Sequence, residues 1–209
     1  MNARNVPWWG IVSSAAPPVL LGAGWTIAAS VQSRPYDSVA DTVSALAGTG
    51  ATDRWLMTLV FVVAGVCDVV TGLALRPARM AGRLILMAGG IAGLLVAVSP
   101  VHLGDGAPVS HVAWAATGVA ALAIWPAAAS YRGPGVPWAL RPAVSAWAAA
   151  VLLVLLAWFG LELITSGGLD GLAERVLGEA QALWPFVAVM SCRHPVPLPA
   201  RDRLVHECG

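Results

Sequence analysis

The chain has 209 residues, of which 58% are hydrophobic and only 11% are charged. Soluble domains carry roughly 25% charged residues, so this composition indicates an integral membrane protein with a single domain over 1–209. The net charge is +1 and no basic tract or nucleic-acid-binding motif is found, which argues against a nucleic-acid partner.

Six apolar segments are candidate transmembrane helices, because a bilayer core about 30 Å thick is crossed by about 20 helical residues. In chain order the predicted spans lie near 8–31, 55–75, 84–98, 111–130, 145–164 and 176–192. Pro17 and Pro18 lie inside the first span and should kink it, since two backbone donors are missing there. The predicted fold is an all-α membrane bundle of six transmembrane helices, followed by a cytoplasmic tail over 193–209.

The arginines predict the orientation in the membrane. Nine arginines fall in the N-terminus, the second and fourth loops and the tail: Arg4, Arg76, Arg79, Arg83, Arg132, Arg141, Arg193, Arg201 and Arg203. Three fall on the other side: Arg34, Arg54 and Arg175. Because positive charge is enriched in cytoplasmic segments, we expect a multi-pass protein of the cell membrane with both termini in the cytoplasm.

The first outer loop contains an unusual segment, RPYDSVADTVSALAGTG, at 34–50. Its apolar residues recur at helical spacing, and Asp37 and Asp41 lie four residues apart. We predict a short amphipathic helix over 36–47 whose apolar side caps a cavity while both acids face polar partners. The candidate partners are Arg34, Arg54 and His111. The alternative is an interfacial helix whose acids face water.

Three carboxylates fall inside predicted spans, where ionisable side chains are costly and are functional candidates by default. Asp68 lies below the middle of the second span, Glu162 near the outer end of the fifth, and Glu179 one turn into the sixth. We expect all three to point into the bundle, because a lipid-facing carboxylate costs about 2.5 to 3.5 kcal/mol. A structural alternative for Glu179 is an ion pair with Arg175. Glu174 is interpreted as a charge that favours the helix dipole.

Aromatic residues and a histidine are the candidates for contacts with a lipophilic substrate. They are Trp25, Trp114, Trp158, Trp184, His111 and Tyr36. With Asp53, His102 and Asp105 the outer ends gather many titratable groups, which suggests a polar mouth above an apolar cavity. The alternative for the titratable groups is an acidic rim that faces water. The alternative for the indoles is that they only pack in the bundle or face lipid.

Sequence motifs for metal or cofactor chemistry are not found. The chain has no Ser-His-Asp order, H-E-x-x-H, P-loop, G-x-G-x-x-G or D-D-x-x-D element. Cys67, Cys192 and Cys208 stand alone, and His206 with Cys208 offers only two possible ligands. We therefore expect no metal site and no cofactor.

Residues 35–57, PYDSVADTVSALAGTGATDRWLM, resemble the first-loop signature of the bacterial membrane family called domain of unknown function family 998. The SP that closes the third span, His111, and the segment GLAERVLGEAQALWP extend the resemblance over most of 10–190. Asp68 is not part of the family pattern. In size and Trp content the chain is also similar to membrane sesquiterpene cyclases of drimentine-type pathways. Those enzymes fold a farnesyl chain on an indole-containing cyclodipeptide into a bicyclic drimane.

This second resemblance implies a membrane terpene cyclase that protonates an alkene of a lipophilic, prenylated small molecule without a metal ion. Such a reaction requires a buried acid, aromatic faces for cationic intermediates, a final base and a dry cavity. The expected acid is Asp68, Glu162 or Glu179, and Asp41 and Asp37 are further candidate catalytic carboxylates. Two alternatives stay open. The protein binds or transports a lipophilic molecule, or it is a structural subunit whose carboxylates satisfy helix ends.

Overall fold

The computed structural model describes residues 6–102 and 107–193. Over these residues the chain forms helices, one short 3-10 turn at Trp138–Leu140 and an isolated bridge between Thr49 and His102. The helices are α1 Trp8–Ser30, α2 Val43–Leu46, α3 Arg54–Ala74, α4 Met80–Ala97, α5 Val109–Ala129, α6 Pro142–Thr165 and α7 Asp170–Ser191. The all-α prediction is confirmed for this part of the chain.

Five of the helices, α1, α3, α4, α5 and α6, are long and apolar enough to cross a membrane. This finding supports a multi-pass membrane protein. Helix α7 has 22 residues but is less apolar, because its first half carries several charged side chains. It begins at Asp170 rather than near 176, and α4 begins at Met80 rather than near 84.

The six long helices form a closed ring. Each one packs on its neighbours in the order α1, α3, α4, α5, α6, α7 and back to α1. Glycines bring the backbones together: a Cβ on Gly65 of α3 would lie 2.6 Å from the carbonyl oxygen of Gly90 on α4. A Cβ on Gly82 of α4 would overlap the backbone of Ala129 on α5. Small residues are used in this way wherever helices pack without help from the hydrophobic effect.

Buried prolines lie inside three helices of the ring. Pro17 and Pro18 lie inside α1, Pro126 inside α5 and Pro185 inside α7. All three helices continue through their prolines, but each proline removes one backbone donor from the helical ladder. The backbone carbonyl four residues before each proline therefore lacks its usual helical donor and can accept another hydrogen bond.

The core has two buried clusters, one at each end of the ring. We call the end where α1 begins and α7 ends the inner end, since Val6 and Cys192 share one cluster there with Trp125. We call the opposite end the outer end. There, Leu46 of α2 packs with Ala28 of α1. Short as it is, α2 is therefore part of the core and holds the first loop against the ring.

The predicted helix over 36–47 is wrong in its extent, since only Val43–Leu46 is helical. The preceding residues form a turn instead. A side-chain oxygen of Asp41 accepts the backbone N–H of Asp37 at 2.8 Å, and an oxygen of Asp37 accepts the N–H of Val39 at 2.8 Å. Aspartates that bind nearby backbone donors compete with helix formation, which explains the difference.

Candidate functional site

Asp68 lies on α3, nearer the inner end than the outer end, and is 9% exposed. A Cβ on Gly90 of α4 would lie 2.9 Å from the Cβ of Asp68, so the two helices meet at this residue. No side-chain hydrogen bond or ion pair joins the Asp68 carboxyl to any residue of 6–102 or 107–193. A buried acid without a partner is stable only in its neutral form or with a ligand beside it.

Trp125 of α5 lies about one helical turn nearer the inner end than Asp68, on the other side of α4. It belongs to the inner cluster together with Leu86, which lies one turn from Gly90 toward the inner end. Its side chain is fully buried, and its indole N–H has no acceptor within the described part of the chain. The sequence places Trp125 inside a span but gives no sign that this indole, among ten, is the one most deeply buried.

Two hydroxyls lie one turn from Asp68 toward the inner end. The side-chain oxygens of Ser13 on α1 and Thr71 on α3 are 2.8 Å apart, and both residues are buried. Pro17 also leaves the carbonyl of Ser13 without its usual helical donor. The interface between α1 and α3 therefore supplies exchangeable protons and a free acceptor close to the acid.

Glu179 on α7 is the second acid without a partner. Its Oε2 atom is buried and has no hydrogen-bond donor among residues 6–102 and 107–193. The alternative pairing with Arg175 does not form, because that guanidinium turns to the first loop. Gln181 is buried on the same helix, and its side-chain amide donates to the carbonyl of Val119 on α5 at 2.8 Å. Gln181 thus joins α7 to α5 by a buried hydrogen bond.

Glu162 takes a different position from the other two acids. Its Oε1 accepts the indole N–H of Trp158 at 3.0 Å, and its Oε2 accepts the backbone N–H of Leu169 at 3.4 Å. A Cβ on Gly167 would overlap the same carboxylate. The position of Glu162 in the last turn of α6 lets its carboxylate close the connection to α7 instead of pointing into the ring.

Arg175 joins α7 to the first outer loop, a role that the sequence did not predict. It donates to the hydroxyl oxygen of Tyr36 at 2.5 Å and to the carbonyls of Ser38 and Asp41 at 2.7 and 3.1 Å. Its guanidinium carbon lies 5.9 Å from the ring centroid of Trp25, within reach of a cation–π interaction. Burial raises the pKa of Tyr36, although the nearby Arg175 acts in the opposite direction.

Glu174 binds the start of α2. Its carboxylate accepts the backbone N–H of Val43 and, at 3.0 Å, the hydroxyl of Ser44. From the sequence, this residue is expected to act as a charge on the dipole of its own helix. Instead it satisfies donors at the N-terminus of another helix, which only the tertiary fold brings within reach.

A family model described as a protein of unknown function (DUF998) matches residues 14–191. The chain belongs to this family. The match extends from the second turn of α1 to the end of α7, so the closed ring is the DUF998 unit. Comparison with curated proteins and with solved structures gives no match.

The remaining predicted residues of this DUF998 protein are spread over the ring. His111 is buried, and its Nδ1 lies 2.7 Å from the carbonyl of Ser99, so it closes the connection between α4 and α5. Trp25 packs on the outer cluster, Trp184 on the inner cluster, and Trp114 is 39% exposed. Asp37 and Asp41 bind backbone donors of their own turn and not the predicted partners Arg34, Arg54 and His111.

Six residues considered from the sequence lie outside the described residues: Arg4, Asp105, Arg201, Arg203, His206 and Cys208. Within 6–102 and 107–193, no group of three His, Cys, Asp or Glu side chains is arranged to hold a metal ion. Asp68, with the hydroxyls of Ser13 and Thr71 about one turn away, is therefore the candidate site.

Proposed function

We propose that this DUF998 protein is an integral membrane terpene cyclase. It cyclises a farnesyl group on a small molecule by protonating an alkene, without a metal ion. The observation that carries this proposal is Asp68, a buried carboxyl in a candidate membrane span with no partner among the described residues. The similarity in size and Trp content to membrane sesquiterpene cyclases supplies the substrate class.

The proposed reaction begins with transfer of the Asp68 carboxyl proton to a terminal alkene of the farnesyl chain. The alkene π electrons form the new C–H bond and leave a tertiary cation. Each ring closure then uses the π pair of a further alkene, and the last cation loses a proton to a carboxylate. One proton enters and one leaves, so the product is an isomer of the substrate.

The surroundings of Asp68 suit this chemistry. A protonated acid is the stable form in a dry bundle, and a neutral acid that keeps its proton until substrate arrives is what alkene protonation requires. An indole face stabilises a cation through the ring quadrupole. Leu86 and its neighbours in the inner cluster exclude water, which would otherwise quench the cation.

We further propose that α7 is the sixth transmembrane helix, with both termini in the cytoplasm and the protein in the cell membrane. The described residues of the inner end carry six arginines and no acidic residue outside the helices. The arginines are Arg76, Arg79, Arg83, Arg132, Arg141 and Arg193. This distribution supports an inner end that faces the cytoplasm.

The test uses membranes that contain the full chain, incubated with a farnesylated indole. The proposal predicts a product of unchanged mass and a new retention time in chromatography. Asp68→Asn keeps the shape of the side chain but removes its transferable proton, so it should abolish conversion at an unchanged protein level. Glu162→Gln is the matched control, because its carboxylate closes a loop, and it should retain activity. Absence of an isomer with the wild-type protein contradicts the cyclase.

Binding or transport of a lipophilic small molecule is a second candidate. It is favoured by the prolines inside α1, α5 and α7, since interrupted helices with free carbonyls form binding sites in transporters. The unpartnered carboxyl of Glu179 on α7 would then contact the ligand. In this case labelled farnesyl indole binds to the membranes. It is recovered chemically unchanged from the wild-type protein and from Asp68→Asn.

A further inference from the structure

A cavity of about 490 Å³ opens at the inner end of the ring, apart from the acid site. The connection between α5 and α6 and the beginning of α6 form its walls. Its lining includes Tyr131, Arg132, Gly135, Arg141, Pro142 and Ala143. The volume falls within the range of about 300 to 1,000 Å³ that is typical of small-molecule sites.

The connection that forms this cavity is anchored in the core. The backbone N–H of Tyr131 donates to the carbonyl of Leu140 at 3.2 Å, and Leu140 is 1% exposed. The hydroxyl of the buried Ser145 donates to the carbonyl of Ala139 at 2.9 Å. Gly135 has a φ of 68°, a conformation that residues with a side chain rarely adopt. These contacts hold the connection between α5 and α6 against the core.

Two exposed arginines line the cavity. The guanidinium groups of Arg132 and Arg141 form no hydrogen bond or ion pair with any residue of 6–102 or 107–193. Arg83 at the same end is different, because it donates to the carbonyls of Gly72 and Leu73 and so completes the end of α3. The pair in the cavity has no such structural role within the described chain.

We propose that this cavity binds a phosphate group through Arg132 and Arg141. A guanidinium presents paired donors that match two oxygens of a phosphate, and an arginine-rich surface attracts dianions where, as among the described residues of this end, the connections carry no acid. Two sources supply this chemistry at a membrane surface. One is the headgroup of an anionic phospholipid, and the other is free phosphate or diphosphate from the aqueous phase.

The experiment measures binding to the purified full chain in detergent, with two probes in separate arms. One probe is inorganic diphosphate, and the other is phosphatidylglycerol compared with phosphatidylcholine. The test variant is Arg132→Gln with Arg141→Gln. The matched control is Arg76→Gln with Arg193→Gln, which removes the same charge from exposed arginines of the same end that do not line the cavity. Circular dichroism verifies that both variants keep their helices.

The proposal predicts that the test variant weakens binding of at least one probe by about tenfold or more, since it removes the paired, charged donors that contact the phosphate oxygens. The control should change binding by less than about threefold. Loss in the lipid arm alone assigns the site to a headgroup, and loss in the diphosphate arm assigns it to a soluble ligand. Equal loss in the control, or no binding of either probe to the wild-type protein, overturns the proposal.

Single variants keep the test valid if the double variant fails to fold. Arg132→Lys retains the charge but loses the paired donors. It should weaken binding less than Arg132→Gln does but measurably more than the control. If Arg132→Lys and Arg132→Gln both bind like the wild-type protein, the cavity is not a phosphate site.

Discussion

Arg175 on α7 donates a hydrogen bond to the hydroxyl oxygen of Tyr36, in the loop that follows α1. The same guanidinium binds the carbonyls of Ser38 and Asp41 in this loop. A Cβ on Gly171 would overlap the carbonyl of Asp41, so the loop lies directly on the first turn of α7. One arginine therefore closes the outer end of the ring by joining its last helix to its first connection.

The first prediction concerns this closure. Arg175→Gln should destabilise the protein by about 1.5 to 3 kcal/mol, because it removes a charged donor from three loop oxygens. Arg175→Lys should recover only part of this stability, since an ammonium group cannot reproduce the fixed, paired donors of a guanidinium. Chemical unfolding in detergent measures both. Arg34→Gln, an exposed arginine of the same loop, is the control and should stay within about 0.5 kcal/mol of the wild type. An equal loss of stability in Arg175→Gln and Arg34→Gln would show that Arg175 does not hold the loop against α7.

The second prediction is a pH dependence. Burial raises the pKa of Tyr36 above its ordinary value of 10.0. Because the pKa is higher in the folded state, Tyr36 stabilises the fold fully at neutral pH, and this contribution is lost as pH rises through the folded pKa. The chain has two tyrosines, so Tyr131→Phe leaves Tyr36 as the only phenol. When the phenolate absorbance of the folded protein is followed against pH, the midpoint should lie above pH 10. In the unfolded protein the midpoint should fall to about 10. A folded-state midpoint at or below the unfolded one contradicts the burial.

A third prediction tests the packing of the ring. Gly82→Ala should destabilise the protein by about 1 to 3 kcal/mol, because its Cβ has no room against the backbone of Ala129. Gly160→Ala is the control, since nothing lies within 4 Å of the added Cβ on α6. It should be neutral or stabilise by up to about 1 kcal/mol, as alanine favours a helix over glycine. Thermal unfolding in detergent separates the two, and a neutral Gly82→Ala would show that α4 and α5 are not in close contact there.

Much of the fold was predictable because hydropathy and bilayer thickness act on whole segments. The helices α1, α3 and α5 begin and end within two residues of their predicted spans. The start of α7 was missed because Glu174 and Arg175 make its first two turns polar. Hydropathy cannot detect that both side chains are used to hold a loop from the other end of the sequence.

The candidate site was predictable only in part. An acid inside an apolar span is visible in the sequence, and Asp68 was identified in this way. The sequence could not separate Asp68 from Glu162, because the difference depends on which donors the fold brings to each carboxylate. The burial of Trp125 depends on packing across α4 and has no local signal.

The fourth prediction concerns orientation. The inner end of the ring, where α1 begins and α7 ends, should face the cytoplasm because it is rich in arginine. A reporter that is active only in the cytoplasm should be active when fused after Arg193 and inactive when inserted after Ala51, in the loop before α3. The reverse pattern would place the arginine-rich end outside and contradict the topology.

The most direct test of the account follows the proton from Asp68. Wild-type membranes are incubated with farnesylated indole in D₂O, and the product mass is compared with that of the substrate. An exchangeable carboxyl should deliver a single deuterium to carbon, so the cyclised product should be one mass unit heavier, and Asp68→Asn should form none. A cyclised product without deuterium, or labelled product formed by Asp68→Asn at the wild-type rate, would show that Asp68 is not the acid.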